Sequence, residues 1–329
     1  MDIGALFQCL RPSLPSTTWR QLSRMALARL VMTGRVTMLG ISRWAGQGGS
    51  SRTVQRFFST VMPWALLFWV FFRHHVYGPD AVYLAAGADV IVTKAGTHTH
   101  GLDRFFSSWY GKPVPGLAFF TLSLGSVQKR RAFPRRVEQV VRSDAAKAAC
   151  KARVAATLTP ELGRMKAMLT AVLPLIATVL SVPSVVLAGH FGTHNALPRA
   201  RQCGVPLMAK LRCDAALSFP DTGPYAGRGS RRTYGHQVDD DPLPGHYRKE
   251  TTVEGPMETR LYQRHVRHKE CAPLLHVVRL ATTNLRTQAR AHVSLCSSDL
   301  DLSYAHLVDY ESLRCQSEFT FRAAKQYGG

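Results

Sequence analysis

Arg314, Glu318 and Lys325 fall in the closing stretch DYESLRCQSEFTFRAAKQYGG, with spacings of four and seven residues between neighbours. On a helix such spacings stack side chains along one side, so the carboxylate lies between two cations. Flanking positive charge keeps a carboxylate ionised, as a hard divalent cation requires of its ligand. The same cations suit a phosphate backbone lying across the helix. Taken alone, the stretch also reads as a solvated helix face with an i,i+4 ion pair, and the rest of the chain has to decide between the two.

Other chemistries find less support. His190 and His194 are four apart and His265 and His268 three apart, spacings that could hold zinc on a helix, but neither pair has the Glu of a metalloprotease motif or a Cys pair beside it. No G-x-S-x-G elbow, Walker loop or dinucleotide-type glycine run occurs. What remains is metal-assisted phosphoryl transfer, in which carboxylates from separated strands and a late helix converge on two cations.

Composition points to a polyanionic partner. The 329 residues carry 42 Lys and Arg against 21 Asp and Glu, a formal charge of +21, with Arg outnumbering Lys. An apolar fraction of 46% supports a core. The seven cysteines include no C-x-x-C pair and read as free thiols of a reducing, cytoplasmic compartment. The start MDIGALFQCLRPSLP lacks the pattern of a signal peptide. Trp64 to Phe72 is too short to cross a bilayer, and the uncharged run from Met168 to Leu187 is divided by Pro174 and Pro183 into a buried helix and a buried strand.

The elements that must position these residues follow from periodicity. TTWRQLSRMALARLV, RVTMLGISRWAG and SSRTVQRFFST predict three short helices over residues 17 to 60, the first capped by Thr and the last by Ser50 or Ser51. The last two flank a glycine turn in a helix-turn-helix pattern, with Arg52 and Arg56 opposite Val54, Phe57 and Phe58. Strands are expected from Val82 to Lys94 and from Gly116 to Val127, joined by a turn-rich connection holding Asp103, Arg104 and Lys112. The basic run KRRAFPRR and a helix from about Glu138 to Ala156 come next, then an apolar helix, the strand SVVLAG and the strand PLMAKLRC. Residues 218 to 256 read as loop with a basic knot GRGSRR at 227–232, followed by three antiparallel strands and the closing helix. The expected class is α/β with an inserted β subdomain.

The chain resembles the DDE-type transposases of bacterial insertion sequences, in the branch with a Y-R-E-K signature. The resemblance rests on RVTMLGISRW, RTVQRFF, VTKAGTHTHGLDRFFSSWYGKPVPGLAFFTLSL, VVLAGHFGTHNAL, KLRCDAAL, GPYAGRGSRR, NLRTQARAHV and the spacing of Arg314, Glu318 and Lys325. It implies an RNase H-like mixed sheet flanked by helices, an N-terminal helical DNA-binding region and a β-rich insertion before the last catalytic helix. The corresponding boundaries are 1–78, 79–217, 218–300 and 301–329. It also implies binding to terminal inverted repeats, Mg²⁺-dependent cleavage and strand transfer by a homo-oligomer. The DNA-contacting candidates are Arg43, Arg52, Arg56, Lys112, Arg228, Arg231 and Arg232.

Residue by residue, the expected site is depleted. The first acid is expected at Ala88, with Asp89 beside it, and the second at Ala188. Glu318 supplies the third, so the expected metal ligands are Asp89 and Glu318, with Arg314 and Lys325 as companions. Adjacent strand residues face opposite sides, so Asp89 can replace the first acid only through a changed register or a bulge. Glu311 stands where the signature has Tyr, and Tyr310 sits one earlier. FRAAK replaces the usual FRDAK, and the chain ends at Gly329 where relatives continue into further helices. The expectation is a degenerate, truncated transposase with impaired cutting. The alternatives are a non-cutting DNA-binding protein that represses transposition, or an enzyme active through Asp89 with Asp214 or Asp221.

Overall fold

The computed structural model describes the chain apart from residues 1–2, 35, 95, 97, 108–109, 143–159, 178–179, 181, 188–204, 214, 226, 228, 239–243, 270 and 329; past Phe321 only the backbone is described. Two compact units result. One comprises Met1–Ala81, Phe133–Arg136 and Ser317–Gly329, the other Val82–Ala132 and Val137–Gln316.

The first unit is helical: α1 (Ile3–Leu6), α2 (Ser16–Val31), α3 (Met38–Trp44), α4 (Ser51–Ser59) and α5 (Trp64–His75). Leu22, Met25 and Ala28 of α2 are buried with Ile41 of α3, Val54 and Phe57 of α4 and Leu67 of α5 in one apolar core. Thr37 and Ser50 cap α3 and α4, their hydroxyls accepting from the amides of Gly40 at 2.9 Å and Thr53 at 3.3 Å. The expected Thr cap on α2 does not form; Pro15 holds the N-cap position without a side-chain bond. Its fixed φ suits a helix entry.

Between α3 and α4 the chain turns through Gly46 and Gly48 at φ +64 and +79, a conformation that favours glycine. Phe58, expected on the apolar side, is 48% exposed, because Val54 and Phe57 three residues apart already fill the buried stripe of this short helix. α5 ends in Arg73, His74 and His75. Among the described residues no single helix is long and apolar enough to cross a membrane, and α4 and α5 together bend by 95°.

The second unit is built on one mixed sheet. Its first strands are β1 (Tyr83–Thr93), β2 (Asp103–Ser107), β3 (Lys112–Ser126), β4 (Arg131–Val140), β5 (Val185–Leu187) and β6 (Leu207–Lys210). β1 pairs antiparallel with β3 and parallel with β5, β5 pairs parallel with β6, and β4 adds to β3. The resulting order β4-β3-β1-β5-β6, with helix α6 (Pro160–Ala177) between β4 and β5, is the RNase H-like arrangement. Val185, Val186 and Leu187 are all buried, as parallel strands covered on both faces require.

The sheet then continues through β12 (Arg290–Ser297), β11 (Cys271–Asn284), β10 (Met257–His268), β7 (Leu217–Pro220) and β8 (Tyr234–Gln237), and β9 (Arg248–Glu254) pairs with β10. β12 lies antiparallel to β6, so the β-rich segment extends the core sheet by hydrogen bonds. The chain closes in α7 (Tyr304–Gly328).

Three stretches differ from expectation. The connection before Gly116 holds β2 and the first part of β3; Pro113 and Pro115 lie beyond the β1 pairing, which ends at Gly116, and face β2 without breaking the β1 ladder. Arg131–Val140, which takes in most of the basic run and the start of the expected helix, forms β4, because pairing to β3 outweighs local helix preference; residues 143–156 of the expected helix lie outside the described residues. Residues 218–256 contain β7, β8 and β9, which their polar composition concealed. Arg135 of the basic run is 4% exposed, donates to the carbonyl of Ala65 and stacks over Trp69 at 5.1 Å, so it serves packing within the helical unit.

Candidate active site

The expected first acid position, Ala88, lies on β1, whose pairing with β3 runs from Tyr83–Ser126 to Thr93–Gly116 without a shift. With no bulge, side chains alternate strictly. Leu84, Ala86 and Ala88 therefore share one face, and Ala85, Gly87 and Asp89 the other. Leu84 packs in a cluster with Val186, Met208 and, from α7, Leu307, Tyr310 and Leu313. Gly125, opposite Leu84, leaves room for Leu313, whose Cβ lies 3.8 Å from where its own Cβ would stand.

On the reverse face, a Cβ at Gly87 would come within 2.5 Å of Leu187 and 3.0 Å of Phe120. Asp89 is half-buried on that reverse face, opposite Phe120. Ala88, not Asp89, is thus on the side of the sheet that α7 covers. Ala88 is 1% exposed, and its carbonyl accepts a 2.9 Å bond from the buried Thr121 hydroxyl.

The first turns of α7 are held from the sheet side. Arg130, in the turn between β3 and β4, takes a left-handed φ of +51 and donates to the carboxylate of Asp309 and, at 2.6 Å, to the hydroxyl of Ser312. Nothing in the sequence marks Arg130 beyond its place in a basic run; its role depends on a turn that only the pairing defines. Arg314 is 8% exposed, and its Nε donates to Glu311 Oε1 at 2.9 Å. Glu311, which replaces the expected Tyr, thus supplies an acid to the expected Arg. Tyr310 is buried and stacks on His306 at 5.4 Å, and burial, then Asp309, raises its phenol above the usual range.

Glu318 is exposed and belongs to the part of α7 grouped with the helical unit. The side chain of Lys325 lies outside the description, as do Ala188, Asp214 and the pair His190 and His194. His265 and His268 lie on β10, not on a helix, so the helical zinc spacing does not arise. Asp221 accepts from the Gly223 amide at 3.2 Å and shapes its own turn.

Arg43, Arg52 and Arg56 are exposed on α3 and α4, and Lys112, Arg231 and Arg232 are exposed on the sheet unit, while Arg228 lies outside the described residues. The family model for DDE superfamily endonucleases matches residues 6–272, most of the chain. The chain belongs to the DDE superfamily of endonucleases. No curated protein matches it. Membership makes it a transposase-like nuclease with a nucleic-acid substrate, and the RNase H-like sheet order agrees.

DDE endonucleases act with divalent metal. Among the described residues the expected positions do not fit that group: Ala88 offers no side-chain oxygen, and Asp89 stands on the opposite face of β1. Among the described residues no three His, Cys, Asp or Glu side chains come together where a metal ion could be held. No catalytic step through Mg²⁺ follows from these residues.

Proposed function

We propose that the chain is an insertion-sequence transposase that binds the terminal inverted repeats of its element and whose cutting is strongly impaired. The observation that supports this reading is the unbroken register of β1, which keeps the methyl group of Ala88, where the resemblance expects the first acid, on the face that α7 covers. An acid that supplies metal ligands is worth several kcal/mol of transition-state stabilisation, and about 1.4 kcal/mol is already tenfold in rate. Arg43, Arg52 and Arg56, exposed on the helix pair of the first unit, support retained DNA contact in the manner of a helix-turn-helix. Lys112, Arg231 and Arg232 add exposed positive charge on the sheet unit. Glu318, with Arg314 and Lys325, is the remnant of the centre, working on DNA in the bacterial cytoplasm. A chain that binds repeats without cutting them would also act as a repressor of transposition.

Labelled inverted-repeat DNA, incubated with the chain and Mg²⁺ or Mn²⁺, tests the reading. The native chain is expected to bind and leave the DNA intact, and the double change Ala88→Asp with Ala188→Asp to restore cleavage that Glu318→Ala abolishes again. Cleavage by the native chain that survives Glu318→Ala would refute it.

A further inference from the structure

Phe106, on the edge strand β2, is 62% exposed, and Tyr110, in the turn from β2 to β3, is 55% exposed. The β1 ladder ends at Thr93–Gly116, so the hairpin that β2 forms with Lys112–Gly116 projects past the end of β1. Neither ladder of β3 has a shift, so one set of its side chains runs from Thr121, opposite Ala88, through Phe119, Leu117 and Pro115 to Pro113. Pro115 pairs with Arg104 and Pro113 with Phe106. Arg104 and Phe106 therefore stand on the face of the sheet that carries Ala88, and all four of these hairpin residues are exposed. The reverse face of the hairpin is closed. Phe105 and Val114 are buried there, and Arg142 lies over the Phe105 ring at 4.5 Å, 3.6 Å from Asp103. A braced strand pair thus holds a phenyl ring out in solvent.

The edges of this hairpin are blunted against a further strand. The Lys94 amide donates to the Pro115 carbonyl at 3.1 Å, so Pro115 and, two residues away, Pro113 turn their backbone to the side that β1 leaves open, where neither has an amide to offer. On the outer edge of β2 the Arg104 amide donates to the Asp103 carboxylate at 2.7 Å, and the Arg104 carbonyl accepts from Arg142 at 3.0 Å. What the face offers is an aromatic ring with cations beside it. The Arg104 guanidinium donates to the carbonyl of Pro113, the residue opposite Phe106, at 3.2 Å, and Lys112 is exposed near the tip.

We propose that Phe106 is a base-stacking wedge, which enters between two base pairs of duplex DNA laid across this face while Arg104 and Lys112 take the adjoining phosphates. Every base has a face that stacks on an aromatic ring, and side chains set between base steps unstack and kink the duplex. Eight residues of β3 separate Thr121 from Pro113. At about 3.4 Å per residue that is about 27 Å, or about eight base pairs of duplex. The wedge rests on the proposed reading that the chain binds repeat DNA, and adds a deformation of that DNA at a set distance from Ala88.

The test uses repeat duplexes with thymine placed in turn at successive positions, without added metal, so that cutting plays no part. Anisotropy reads binding, and permanganate, which attacks unstacked thymine, reads the wedge. The native chain is expected to bind and to make thymine hyperreactive at one step, about eight base pairs from the repeat end. Phe106→Ala should abolish that reactivity and weaken binding about fivefold or more, with an unchanged denaturant midpoint because the ring is exposed. Phe106→Trp should keep both signals. Arg104→Ala should lower the salt slope of binding by about 1 and leave the reactive step in place. Binding with no reactive step, or a step that persists in Phe106→Ala, overturns the wedge and leaves repeat binding standing. Absence of binding overturns both. A Phe106→Ala chain that sediments differently from the native one with the permanganate pattern unchanged would assign the face to a protein contact and overturn the wedge as well.

Discussion

His276 is fully buried and stands opposite His265 in the β10–β11 ladder, the rings 5.3 Å apart at 84°. Burial first, and repulsion from His265 second, push its imidazole down to about 4, against the pull of Asp299 and of the Leu302 backbone. The folded chain therefore keeps His276 neutral, while the unfolded chain protonates it near 6.5. The stability this residue contributes is complete above pH 6.5 and is lost as pH falls toward 4. Between pH 7 and pH 4.5 the loss is about 2 kcal/mol, at about 1.4 kcal/mol for each pKa unit. His276→Leu should remove that part of the pH dependence, as seen in urea midpoints at the two pH values. An unchanged difference between the midpoints would refute the assignment. Asp89 teaches a related lesson: its neighbour decides which face it takes, and composition alone could not.

At the scale of elements, α4 separates packing from contact. Phe57 is 5% exposed and Phe58 is 48% exposed. Phe57→Ala should cost about 3–5 kcal/mol and Phe58→Ala less than about 1 kcal/mol, as measured by denaturant unfolding. Arg52→Ala and Arg56→Ala should leave stability nearly unchanged, weaken binding to repeat DNA and lower its salt slope by about 1 each. The helices α2 to α4 were legible in the sequence because their apolar residues recur at helical spacing, and β10 to β12 because theirs alternate. β2, β4 and β9 were not, since turn-forming prolines, a basic run and a wholly exposed strand carry no such period; only their partners make them strands. In the candidate site, Glu318 and Ala88 are expectations from spacing and resemblance. The face of Asp89, the Arg130 contact with α7 and the Glu311–Arg314 pair depend on register and could not be read from either.

For the whole molecule, the formal charge of +21 sets the expected behaviour toward nucleic acid. Affinity for duplex DNA should fall steeply as salt rises from 50 to 200 mM, by about 10³ if six phosphates are contacted. Fluorescence anisotropy with labelled repeat and unrelated DNA measures it, and a flat salt response would remove polyanion binding from the picture. Mixed sheet, helical unit and surplus charge are separate inheritances: the first two need a folded core, and the last needs only a surface.

The run Ala85, Ala86, Gly87, Ala88 lies in the interior of β1, with the alanines no more than 2% exposed. If Ala88 stands where an acid once stood, as proposed, such surroundings make its return difficult. Ala88→Asp alone would bury a carboxylate with no neighbouring acid to share a metal, at a cost above the about 1–3 kcal/mol of a neutral unpaired polar group, before any activity returned. Selection would see the damage first. On the proposed reading, alanine at one acid position removes the advantage of regaining the other.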